Sequence, residues 1–250
     1  MNDRPVLAVV TPRLDAVRWA ADYASRRGSP LLLVHLSPDI TAVTDQVRSW
    51  FPDLAVRRRF AGDRGGHLLL AESEYAHVIA VDEDGTEVFE GESVVTALSA
   101  LARCPVVSVP PGAVWTDPAA PVVVGVHDRG RSLEKLAFSF AEAERLGTGV
   151  RLVRCASGGP DPLREVSARV PDVPVQSEVL DTSAVSTVAW HAHFGSMVVL
   201  GSRRGGSLRG ALSRSISRAV LRRASSPVVV IGPMCRRFSP AVSDLDNARS

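Results

Sequence analysis

Cysteine is scarce in this chain. There are three in 250 residues, Cys104, Cys155 and Cys235, an odd number with no C-x-x-C pair. A disulfide framework is therefore not expected, and the pattern fits a reducing cytoplasm. Aromatic residues make up only 5%. The core must then be built mostly from Val, Leu and Ala, which suits a buried parallel sheet under alanine-rich helices. No stretch approaches the ~18 unbroken apolar residues of a membrane helix, and mean hydropathy is only +0.09. The opening MNDRPVLAVV has no long apolar segment, so no signal peptide is expected. Net charge is +2, too little to make the whole molecule a nucleic-acid binder. Against these shortages, the chain is 45% hydrophobic and 22% charged, which excludes a disordered or collagen-like class for most of it. The length allows one large domain or two small ones at ~150 residues each.

An internal repeat decides between those two. Val6–Val10 and Val122–Val126 are short apolar runs that each follow a proline. Helical stretches come next, Leu14–Arg27 and Leu133–Leu146, stopped by Gly28 and Gly147. Glycine just past the last turn is a helix C-cap signal. LLLVHL (Leu31–Leu36) and VRLVRC (Val150–Cys155) follow as strands, then Val78–Val81 and Val198–Leu200, and finally CPVVSV (Cys104–Val109) and SPVVVI (Ser226–Ile231). The helix-ending glycines are 119 positions apart and the terminal prolines, Pro105 and Pro227, 122. The later copy thus holds three extra residues, expected in the glycine-rich loop that starts at Gly201. The expected organisation is a first unit at 4–111, a linker at 112–119, a second unit at 120–233 and a polar tail at 234–250. Each copy alternates strand and helix through four strands and three helices. That predicts an α/β fold, two tandem doubly wound parallel sheets with helices on both faces.

Ligands of such sheets bind outside the carboxyl ends of the strands. In the second copy those ends are Val126 with His127 and Asp128, then Cys155, then Gly201. The last opens GSRRGGSLRGALSRSISRAVLRRASSPVVVIGP (Gly201–Pro233). Its glycines, Gly206 among them, permit close backbone approach, and Ser215 and Ser217 stand where a helix would begin. A helix N-terminus suits phosphate. The loop is not a Walker A, because Ser207 stands where the phosphate-binding Lys would be. An ordinary tight strand-to-helix connection is an equally good reading of the glycines alone. Seven arginines fall in this loop and helix. Arg203 and Arg204 lie on the loop and are read as ligand contacts; Arg218, Arg222 and Arg223 are read as a solvated helix face.

These residues resemble the universal stress protein family. Its C-terminal signature is a strand, G-x2-G-x9-G-[ST], a helix, and P-V-[LV]-V-V. Met197–Leu200, Gly201, Ser215, Ser215–Arg223 and Pro227–Ile231 match it in order, with the signature spacing between Gly201 and Ser215. Arg18–His35 is similar to the family's first helix and second strand, so the resemblance covers nearly the whole chain as a tandem pair. It implies an adenine nucleotide-binding type of fold and a cytoplasmic stress-response regulator, not a turnover enzyme. One branch of the family binds ATP and another does not. Where positions match, Gly201 and Ser215 would contact the triphosphate, Ile216 and Ser217 would lie beside it, and Cys155 would lie near adenine. No metal is expected beyond a Mg ion carried by the nucleotide. The departures are Arg204 and Arg214 in place of the second and third signature glycines, and His127, with Asp128 one place later, in place of the aspartate after the first strand. Arginine there either fills the pocket, leaving a ligand-free interaction module, or adds charge to a modified one. A slow ATPase is a weaker alternative, with Asp128 and His127 as its only candidate bases.

The first copy departs further. Asp82, Glu83, Asp84, Glu87, Glu90 and Glu92 make its corresponding stretch acidic, which would repel phosphate, and they read as a solvated acidic loop. Its first strand ends in Val10-Thr11-Pro12 without an acid, so this copy is expected to be a scaffold. His191 and His193 are two residues apart, which does not place them on one helix face, and no third ligand completes a zinc set. His35 and His77 read as packing or surface groups. No G-x-S-x-G elbow occurs. The tryptophans are too scattered, and the arginine-rich segment too poor in aromatics, for nucleic acid to be expected as a partner. Family members commonly dimerise through the last strand. Here the two copies can pair within one chain through Cys104–Val109 and Ser226–Ile231 as a pseudo-dimer, with or without a further homodimer.

Overall fold

A computed structural model describes residues 4–35, 39–62, 65–83, 93–113, 115, 117, 119–126, 132–155, 170–180, 184–201 and 220–235. In the first half the elements are β1 (Val6–Val9), α1 (Asp15–Arg27), β2 (Leu31–His35), α2 (Thr41–Trp50), β3 (Val56–Phe60), α3 (Gly65–Glu72), β4 (Val78–Asp82), α4 (Val94–Leu101) and β5 (Val106–Val109). In the second they are β6 (Val122–Val126), α5 (Ser132–Leu146), β7 (Val150–Cys155), β8 (Val175–Leu180), α6 (Ala184–Ala192), β9 (Met197–Gly201) and β10 (Val228–Ile231).

All ten strands form one sheet in the order β3-β2-β1-β4-β5-β10-β9-β6-β7-β8. Every neighbouring pair is parallel except β5 and β10, which run antiparallel with Val107 opposite Val229. The same strand order therefore occurs twice, and the two runs join edge to edge through the segments that the sequence nominates. Central strands such as VLAV and VIAVD are buried on both faces, as a parallel sheet between helix layers requires. The apolar residues sort into two layers. One lies with α1, α2 and α5, the other with α3, α4 and α6, and each runs across both halves.

The sequence reading has four strands per copy; the sheet has five. The missing ones are its two edges, β3 (VRRRF) and β8 (VQSEVL). An edge strand is shielded on fewer sides and carries polar residues that discourage edge-to-edge association, so neither shows an apolar run. The two C-caps are as expected. Gly28 and Gly147 take φ 63° and 67°, the left-handed region that glycine enters freely. Thr148 donates to the Ala143 carbonyl as Ser29 does to that of Ala24. Register refines the copy arithmetic. Ile79 pairs with Val106 and Val198 with Val228, which puts three extra residues between β9 and β10. Val6 pairs with Leu31 but Val122 with Val150, so three more lie between β6 and α5. Counting at the helix-ending glycines could not see that second insertion.

On the α1/α5 face the halves meet through a buried ionic cluster. Tyr23 on α1 and Glu142 on α5 occupy corresponding positions, and the Tyr23 hydroxyl donates to Glu142 Oε1 at 2.7 Å. Arg27 Nη1 donates to the same oxygen at 2.9 Å, and Arg145 donates twice to Oε2, at 2.8 and 3.0 Å. Burial pushes the Glu142 carboxyl up, but His77, Arg145 and Arg27 outweigh it and hold the group at about 2. Burial also lowers the basicity of His77 and raises that of Tyr23.

Candidate functional site

In each half the strand order turns at its middle, between β1 and β4 and between β6 and β9. Crossovers leave such a pair toward opposite faces, opening a crevice at their carboxyl ends. The two crevices are lined from corresponding positions and are filled in opposite ways.

In the first half, Asp82 ends β4 and is 1% exposed. Its Oδ1 accepts the Ala16 backbone N–H at 2.8 Å, and its Oδ2 accepts the Thr11 hydroxyl. Ala16 lies in the first turn of α1, where unsatisfied amides and the helix dipole favour an anion. The chain's own carboxylate has taken that place. Burial raises the Asp82 pKa, and the bonds from Thr11 and Ala16 work against it. Asp82 is thus not part of a solvated acidic loop, as the sequence suggests: it is the last residue of a buried strand. Asp84, Glu87, Glu90 and Glu92 lie outside the described residues.

In the second half, 119 positions on, Gly201 stands for Asp82 and Lys135 for Ala16. Lys135 is 5% exposed. Its side chain passes over Gly201 so closely that a Cβ there would lie 3.1 Å from its Cδ and 3.5 Å from its Nζ. Nζ donates to the Gly125 carbonyl at 3.4 Å. The crevice that holds a carboxylate in one half holds an ammonium beside a glycine in the other. The sign of the charge is inverted and the side-chain volume at the strand end is removed.

Of the residues singled out in the sequence, Val126 and Gly201 end the adjacent strands β6 and β9 and flank this crevice. Cys155 ends β7, on the far side of β6. His127, Asp128, Arg203, Arg204, Gly206, Arg214, Ser215, Ile216 and Ser217 lie outside the described residues. Lys135, Thr11 and the true role of Asp82 were missed. Lys135 is the only lysine among 29 basic residues, but that rarity does not place it at a strand end.

The histidines fall elsewhere. His191 meets Glu178 at 2.7 Å, whereas His193 meets Ser225 at 2.7 Å, so the pair does not converge. His35 is buried against Phe60, with ring centroids 5.6 Å apart. Among the described residues no three His, Cys, Asp or Glu side chains group as metal ligands, and no helix is long and apolar enough to cross a membrane.

No protein-family model matches the sequence, and no curated protein does. Solved structures do match. A universal stress protein from Archaeoglobus fulgidus DSM 4304 superposes with a TM-score of 0.69 at 14% identity, over 94% of this chain and 97% of that one. A protein of Pseudomonas aeruginosa UCBPP-PA14, provisionally described as a universal stress protein, matches with a TM-score of 0.61 at 18% identity, over 98% and 97%. The cytoplasmic domain of a prokaryotic cation chloride cotransporter matches with a TM-score of 0.63 at 13% identity, over 96% and 99%. At such identities the likeness is one of fold, an α/β architecture around a mostly parallel ten-stranded sheet. That fold is shared by a universal stress protein and by the cytoplasmic domain of a cotransporter, so function has to be argued from the crevices.

Proposed function

We propose that this chain is a tandem universal stress protein of the cytoplasm, a regulatory binder and not a turnover enzyme. Its second half takes ATP or another phosphorylated adenine ligand at the carboxyl ends of β6 and β9. The observation that carries this reading is the inversion between the crevices. Where Asp82 meets the Ala16 amide, the second half offers Lys135 and the bare backbone of Gly201. An ammonium beside a strand-end backbone that carries no side chain favours an oxyanion. Gly201 and Ser215 fit the family signature, and Arg203 and Arg204 would add charge to the same loop. Nucleotide binding would bias that loop between open and ordered states, and partners would read that state. The first half, with its crevice occupied by Asp82, is the scaffold.

Two measurements test this. Mass spectrometry of small molecules released from the purified protein is expected to find an adenine nucleotide. A Lys135→Met variant is expected to bind ATP about tenfold more weakly, the usual order for losing a charge-assisted hydrogen bond. Protein that carries no nucleotide and shows no thermal shift at millimolar ATP would instead support a ligand-free interaction module.

A further inference from the structure

At the opposite end of the sheet, below the amino ends of the first five strands, lies an open groove of about 1170 Å³. It is on the α3/α4 face. Register sets Arg57 beside Leu32 and Arg59 beside Val34, and both of those apolar residues belong to that face. Arg4, before β1, and Arg103, before β5, come to the same groove from distant parts of the chain. Tyr75 also lines it and is 67% exposed. Two carboxylates answer five arginines, Arg58 being the fifth. Glu72 pairs with Arg59, and Glu74 meets Arg103 at 3.1 Å. Among the described residues, Arg4 and Arg57 have no such partner.

The fold does not require these arginines. The corresponding positions of the second half, by register and copy offset, are Ala120 for Arg4, Gln176 for Arg57, Glu178 for Arg59 and Ser225 for Arg103. Even the acid has changed strands, Glu178 hydrogen-bonded to His191 standing for Arg59 paired with Glu72. Edge protection explains a charge on β3, and β8 achieves it without arginine. It does not explain why Arg4 and Arg103 gather at the same groove.

We infer that this groove binds single-stranded nucleic acid, with Arg4, Arg57 and Arg103 on phosphates and Tyr75 stacked on a base. Arginine makes bidentate contacts with phosphate, and an exposed ring beside a cationic track is how sequence-tolerant single-strand binders hold bases. The groove follows β3 at Arg57, Arg58 and Arg59 and extends across the sheet to Arg103 before β5, four strand spacings or about 19 Å away. A peptide added to the free edge of β3 would instead stay along that strand. The near-neutral total charge argues against a molecule that is basic throughout, not against one local track.

The test is fluorescence anisotropy of the full chain with a labelled oligouridylate of about twelve nucleotides. Binding is expected, with a log–log salt slope near −2 for about three phosphate contacts. Arg4→Glu with Arg57→Glu is expected to weaken it by at least ~30-fold, and Tyr75→Ala by about tenfold. Arg222→Glu with Arg223→Glu, exposed in the second half, should leave it unchanged, and saturating ATP should not compete. The inference is overturned by absence of binding, by indifference to the Arg4 and Arg57 changes with loss in the Arg222 and Arg223 variant, or by polyglutamate displacing the oligonucleotide at equal charge. Competition by ATP would also overturn it, by moving the site to the β6/β9 crevice. The first three of these outcomes do not depend on whether ATP binds.

Discussion

The halves share a strand order, a register pattern and a pair of C-caps, yet differ wherever a side chain could meet a ligand. Asp82 becomes Gly201, Ala16 becomes Lys135, Arg57 becomes Gln176 and Arg59 becomes Glu178. Of the four first-half residues only Ala16 belongs to the apolar core. The fold thus supplies its own control: features that recur in both halves serve the architecture, and those that invert between them are free to serve binding. The Tyr23–Glu142 contact belongs to neither class. Two corresponding positions have diverged so that they can meet each other, which ties the halves together.

The largest effect should come from breaking that tie. Glu142→Gln leaves the half-buried Arg27 and Arg145 without a counter-charge, and should cost about 3 kcal/mol in urea unfolding, the low end for breaking a buried pair. Tyr23→Phe, across the same contact, removes the hydroxyl's hydrogen bonds to Glu142 and His77 and should cost about 1–2 kcal/mol. Equal losses from the two would show that the carboxylate is not the centre of the cluster.

Acid should expose the same asymmetry. Glu142 titrates at about 2 when folded, against an ordinary value of 4.5. Its contribution is complete above the ordinary value and is lost as pH falls through the folded one. His77, whose folded pKa is lowered by burial, acts in the same sense from about 6.5 downward. Asp82, raised by burial, acts in the opposite sense. The expected melting profile declines below about pH 6.5 and steepens between about 4.5 and 2. Glu142→Gln should flatten the lower limb. A wild-type profile flat to pH 3 would contradict the assignment.

A smaller loss should follow from opening the first crevice. Asp82→Ala deprives the Ala16 amide and the Thr11 hydroxyl of their acceptor, and should cost about 1–3 kcal/mol by chemical denaturation. Smallest of all, Arg103→Ala in the open groove should change stability by less than about 0.5 kcal/mol, since its partner Glu74 is itself exposed. A larger change would make the groove structural.

How much of this was legible follows from where the information sits. Central strands are buried on both faces and read as apolar runs, so β1, β2, β4, β6, β7 and β9 could be found, along with the β5 and β10 segments that pair. The edge strands β3 and β8 carry their meaning in exposed polar residues, which look like loop. Gly201 was visible through its motif spacing. Lys135 was not, because a lysine inside an amphipathic helix ordinarily reads as a solvated residue, and only the sheet shows that it crosses a strand end. Asp82 was hidden among acidic neighbours, although it alone closes β4.

The account turns on the second crevice being an anion site that the first has closed with its own carboxylate. Gly201→Asp would install that carboxylate beside Lys135. Calorimetric titration of ATP into this variant and into the unaltered chain, with melting curves to show that both are folded, tests the claim directly. The expected result is measurable heat for the unaltered chain and none for Gly201→Asp at similar stability. Equal affinity in both proteins would contradict it.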